Sequence, residues 1–220
     1  RIFRLCFQRM NGLKNAPGAS GPTPSLAPQY QDFANAVKIL RKLQIQDAIN
    51  LAYYESNGEP QLILDVYADD SNREEAEQLA LALNLEPGKT RYVLTFSPVS
   101  QTTNQIRVVT RSLLGILFYL SQAVEVPSQD ILQGKTTQTK TIEGEVFDWK
   151  KVTGDLLRVR SHNVKPETAP MNIFYRGTWF FIDDSDLSSK STFSLLAQIF
   201  SLQAGKIKDN APLLTLPIGQ

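Results

Sequence analysis

The chain has 220 residues, with 23 Lys and Arg against 22 Asp and Glu for a formal net charge of +1. Its 42% hydrophobic side chains are enough to bury a core and exclude wholesale disorder. A single cysteine, Cys6, excludes an intramolecular disulfide framework and a cysteine-based zinc cluster, and a single histidine, His162, leaves little room for a histidine metal site.

Residues 1–28 stand apart in charge and composition. Arg1, Arg4, Arg9 and Lys14 are the only charged side chains before Asp32, so this lead carries +4 and the remainder −3. As a helix, the lead places Phe3, Cys6, Phe7, Met10 and Leu13 on one side, with Arg1, Arg4 and Arg9 mostly off it. Left exposed, such a stripe costs on the order of 25 cal/mol per Å². It is therefore expected to dock into a protein partner or a membrane headgroup zone through Phe3, Phe7, Met10, Leu13 and Arg4. Folding back onto its own domain, or descent from a targeting segment, are the alternatives. The stretch Ala16-Pro17-Gly18-Ala19-Ser20-Gly21-Pro22-Thr23-Pro24-Ser25, with Pro28 after it, reads as an extended tether. The folded body is expected from about Gln29. The chain opens on Arg1 rather than Met, as a processed or partial product would.

Residues 29–100 read as a first α-β-β-α-β half. Phe33, Ala36, Val37, Leu40 and Leu43 recur at helical spacing. Ile49, Leu51 and Tyr53 alternate, the Asn57-Gly58 pair signals a hairpin, and Leu62, Leu64 and Val66 form the return strand. Asp69-Asp70-Ser71 supplies capping oxygens ahead of a helix whose stripe is Ala76, Leu79, Ala80 and Leu83. Pro87-Gly88 then precedes a strand from Tyr92 to Phe96.

Residues 101–220 read as a second half in the same order. Leu113 to Val124 is apolar nearly all round and is expected as a central buried helix, yet it is too short to span a membrane. A loose hairpin follows around Lys135 to Glu145. Asp148 caps a short turn before a strand from Leu156 to Arg160. Met171 to Tyr175 and Thr178 to Ile182 flank the Arg176-Gly177 turn. Asp183-Asp184-Ser185 caps a helix from about Leu187 to Gln203, ended by Ala204-Gly205, and Leu213 to Leu216 is a last strand. Val66-Tyr67-Ala68-Asp69-Asp70-Ser71 and Phe180-Phe181-Ile182-Asp183-Asp184-Ser185 echo one another. Pseudo-duplication and chance recurrence of cap chemistry both remain open. The expected fold class is α+β, with antiparallel sheets covered by helices and an extended N-terminal tether.

From about Thr110 to Pro217 the chain resembles an uncharacterised family of bacterial envelope-associated proteins described as lipoproteins. The resemblance rests on Arg111-Ser112-Leu113-Leu114-Gly115, Phe118-Tyr119-Leu120-Ser121, Val124-Glu125-Val126-Pro127 and Leu156-Leu157-Arg158-Val159-Arg160-Ser161. It continues through Tyr175-Arg176-Gly177-Thr178-Trp179-Phe180, Ile182-Asp183-Asp184 and Leu213-Leu214-Thr215-Leu216-Pro217. It implies a bacterial envelope location on the periplasmic side, with no known activity or cofactor. Phe3-Arg4-Leu5-Cys6 puts bulky residues where a lipobox has small ones, which argues against lipidation at Cys6.

No phosphate-binding glycine loop and no Gly-x-Ser-x-Gly elbow occurs, and the near-neutral charge argues against nucleic acid. The reading is a non-catalytic envelope-associated interaction protein, an accessory subunit anchored by its lead, with no cofactor or metal assigned. The alternative is a hydrolase that uses His162 with a serine or the Asp183 cluster, or a metal or small-ligand module at Asp183, Asp184 and Asp186.

Overall fold

A computed structural model describes residues 1–16, 23–56, 58–97 and 102–209. The lead forms helix α1 (Ile2–Cys6) and strands β1 (Phe7–Met10) and β2 (Leu13–Lys14). Then come α2 (Gln31–Ile45), β3 (Ile49–Ser56), β4 (Glu59–Val66), α3 (Arg73–Ala82), β5 (Arg91–Thr95) and β6 (Gln105–Thr110). The second half holds α4 (Leu113–Ser121), α5 (Ser128–Leu132), α6 (Lys150–Thr153), β7 (Arg160–His162), β8 (Asn172–Tyr175), β9 (Thr178–Phe181) and α7 (Leu187–Asp209). This is an α+β chain.

Six strands make one mixed sheet in the order β2-β1-β6-β5-β4-β3, antiparallel except for the parallel β5–β6 pair. Helices α2 and α3 cover one face of it. The predicted stripe is realised in Phe33, Ala36, Leu40 and Leu43 of α2, which pack with Leu79, Ala80 and Leu83 against the alternating strand residues Leu64, Val66, Tyr92, Leu94, Ile106 and Val108. On the sheet, Asp65 accepts hydrogen bonds from Arg91 Nε and Tyr54 Oη, each at 2.7 Å, and those bonds hold its carboxyl below the usual range. β6 carries no expected element in the sequence reading. Its Ile106 and Val108 alternate with Gln105 and Arg107, and by pairing with β5 it joins the two predicted halves across the 100/101 boundary.

A second core gathers Leu5, Ile116, Tyr119, Leu120, Val152, Leu156, Leu157 and Ile182, with Leu195 and Leu196 of α7 against it. Helix α4 is only half sunk in this core. Ile116, Tyr119 and Leu120 are buried, while Leu114 and Leu117 face out, so the expected central buried helix is instead an amphipathic one. Leu156 and Leu157 are core residues of a turn, and the strand expected there begins only at Arg160. The hairpin expected at 135–145 closes over Thr139 to Phe147, where Phe147 N–H donates to Thr139 O at 2.8 Å. Helix α7 runs through Gly205, because one glycine weakens a long helix without ending it.

The small sheet has the order β7-β9-β8. Its hairpin, expected at Arg176-Gly177, joins β8 to β9, with positive φ at both turn residues (51° and 84°). Its third strand precedes the hairpin, whereas in the first half the third strand, β5, follows the helix. The Leu213–Leu216 strand lies outside the described residues. The acidic echo is local: Asp69 Oδ1 and Asp183 Oδ1 each accept from the N–H and hydroxyl of the serine two residues on.

Candidate functional site

The lead is built into the body, which corrects its expected role as a docking segment. Met10 is 1% exposed within the first core and Leu5 is 1% exposed within the second. Phe3, Phe7 and Leu13 are half-buried against the first core, and the rings of Phe3 and Phe7 meet edge-on at 4.7 Å. The helix expected over the whole lead ends at Cys6 because β1 finds a strand partner in β6. Asn11-Gly12, with φ of 44° and 85°, then reverses the chain as an Asn-Gly turn does. Asn11 stitches this turn down by donating to Leu83 O at 2.6 Å and accepting from Arg107 N–H at 2.7 Å.

Arg111 is the clamp. Its guanidinium, 7% exposed, donates to the carbonyls of Arg4, Leu5 and Phe7 at 3.0–3.1 Å and to Asn15 O, and it stacks 4.1 Å from the Tyr119 ring centroid. Burial pulls its pKa down to about 10, against smaller opposing effects of Tyr119 and Cys6. The carbonyl bonds and the cation–π contact replace the water that this buried cation gives up. The same burial raises the Cys6 thiol above its ordinary pKa, leaving little thiolate to act as a nucleophile. Of the expected tether, residues 17–22 lie outside the described residues. Beyond them Ser25 O accepts from Lys140 N–H at 2.9 Å and Ala27 N–H donates to Lys140 O at 2.8 Å, so this part rests on the second half.

Arg4, expected to meet a partner directly, donates to Val152 O at 2.6 Å and pairs with Asp155. Burial lowers the Arg4 pKa, but the Asp155 bond and the Tyr119 ring outweigh that and raise it overall. Arg4 also forms one wall of a groove of about 940 Å³ between α1, α2 and the α6 turn. Arg1 lies beside it, Lys38 and Arg41 come from α2, and Lys150, Lys151 and Arg158 come from the opposite side. Seven basic side chains thus line one concavity, and among the described residues its only acid is Asp155, already paired with Arg4. The buried stripe of α2 fixes which face turns outward, so the exposed row is held before any ligand arrives. Gly154 shapes the far wall. A methyl group there would meet Lys150 O at 2.5 Å, and its own carbonyl accepts from Arg158 Nε at 2.8 Å.

His162 lines a different cleft of about 630 Å³, with Glu125, Asp130, Lys135, Ser128 and Arg176 around it. Its groups serve local structure. His162 Nδ1 accepts from Val164 N–H at 3.0 Å, Glu125 Oε2 accepts from Ser161 N–H at 3.2 Å, and Lys135 lies 3.9 Å from Asp130. Asp183 is not part of this cleft. It holds Ser185 and faces Arg160 at 3.6 Å, and its bonds to Ser185 keep its carboxyl low. Asp186 caps α7 by accepting from Ser189 N–H at 3.0 Å and its hydroxyl at 2.8 Å, while Asp184 pairs with Lys190. Among the described residues no cluster of three or more His, Cys, Asp or Glu side chains is arranged to hold a metal ion, and no helix is long and apolar enough to cross a membrane.

Comparison with family models, curated proteins and solved structures finds no match to this chain. The basic groove was invisible to sequence reasoning because its charges come from residues 1–4, 38–41 and 150–158. The lead, by contrast, carried a readable signal in Asn11-Gly12, the same dipeptide that marks the β3–β4 hairpin.

Proposed function

We propose that this chain is a non-catalytic binding protein that receives an anionic partner in the groove between α1, α2 and the α6 turn. The observation that carries this reading is the charge contrast: seven basic side chains against one paired carboxylate, in a chain whose net charge is +1. A low-dielectric concavity lined by one sign of charge focuses its field outward and attracts the opposite sign. The resemblance of residues 110–217 to envelope-associated proteins supports placing this accessory, interaction role in the bacterial envelope. The lead then contributes Arg1 and Arg4 to the binding wall rather than an insertion anchor.

The test is a salt-dependent titration of a fluorescent dextran sulfate oligomer onto the intact chain. Binding should weaken steeply with salt and fall roughly tenfold in K38E/R41E, since each lost cation removes counterion release. Unaltered binding in that variant overturns the proposal.

A further inference from the structure

The shape of the groove and the uncharged side chains beside its cations narrow the class of anion. Resting on the proposal above, we infer that the groove takes an acidic polysaccharide, a chain of sugars bearing carboxylate or sulfate groups. Helix α2 frames the groove from Gln31 to Gln44, about 20 Å at 1.5 Å per residue. That is far longer than a single phosphate or carboxylate needs, and it suits a polymer with repeated charge. Along the same helix the amides of Gln31 and Asn35 precede Lys38 and Arg41, and Gln44 follows them with its Oε1 accepting from Arg41 at 2.8 Å. The amides of Gln31 and Asn35 each offer a donor and an acceptor together, which matches sugar hydroxyls beside the charged groups.

The aromatic content points the same way. Among the described residues Tyr30 is the only aromatic lining the groove, and it is half-buried, with its ring edge-on to Phe147 at 6.2 Å. Single-stranded nucleic acids gain much of their affinity from bases stacked on exposed rings, and this groove offers no such platform. Its concavity also suits a strand lying in it better than a flat lipid surface.

The test compares three probes of matched charge at 0.1 M salt by fluorescence anisotropy: an oligo-uronate, a thymidine oligonucleotide and inorganic polyphosphate. The uronate should bind about tenfold more tightly than either of the others. Replacing exposed amides in Q31A/N35A should weaken the uronate roughly three- to tenfold, the worth of one or two hydrogen bonds, and leave polyphosphate unchanged. Circular dichroism checks that this variant keeps its helices. Equal or tighter binding of the oligonucleotide or polyphosphate, or an equal loss for all probes in Q31A/N35A, overturns the polysaccharide assignment while the anion groove stands. Failure of every probe to bind overturns the groove itself.

Discussion

The groove beside α2 and the cleft around His162 are lined by similar numbers of polar groups and differ in what those groups are doing. Around His162, two acids and two bases balance one another, and the ring nitrogen, Glu125 and Asp130 are committed to backbone or ion-pair partners. Between α1, α2 and the α6 turn, basic groups from three separate segments converge with a single acid among them. Like charges crowded into one hollow repel each other, so they are favoured only if something of opposite sign relieves them.

The sharpest way to break this contrast is to release the wall that the lead supplies. Arg111→Met should destabilise the chain by about 3 kcal/mol, because the carbonyls of Arg4, Leu5, Phe7 and Asn15 lose their donor inside the protein. Urea denaturation would read that loss. Limited proteolysis should show faster cutting within residues 1–16, and anion binding should fall while the His162 cleft is untouched. Met10→Ala should cost about 2–4 kcal/mol by the same assay, since Met10 lies wholly within the first core. A near-neutral effect of Met10→Ala would return the lead to the surface.

Charge reversals then compare the clefts directly. K38E/R41E should lower anion affinity roughly tenfold, and the matched double reversal K135E/R176E in the His162 cleft should change it less than about twofold. The smallest effect concerns Asp155. Burial opposes its ionisation, but the Arg4 bond and charge prevail and hold its pKa below the usual carboxylate value. A depressed folded pKa means that the pair's stabilisation is complete above the unfolded pKa and is lost as pH falls through the folded one. Asp155→Asn should therefore flatten the acid limb of a thermal-stability profile below about pH 4. At neutral pH it should tighten anion binding about two- to threefold by removing the groove's one acid.

Much of the fold was legible where local signals and tertiary packing agree. The α2 stripe and the β3–β4 and β8–β9 turns are set by residues within a few positions of one another. The expected acidic caps fall short: Asp69 and Asp183 hold the serine two residues on, and Asp186 is the residue that caps α7. The lead misleads because the same side chains that line a helix also alternate along a strand. Phe7 to Met10 take the strand only because β6, itself unpredicted and nearly a hundred residues on, presents a free edge. The groove lies further still from sequence reach. No run of basic residues announces it, since the fold alone brings Arg4, Lys38 and Lys151 to one hollow.

The most direct test is the salt dependence of anion binding to the wild-type chain and to K38E/R41E. The account predicts that log K falls linearly with log salt, with a slope of about −4 to −5 if six or seven cations take part, and that the double variant lowers the magnitude of that slope by more than 1. A binding constant indifferent to salt, or an identical slope in both proteins, would contradict it.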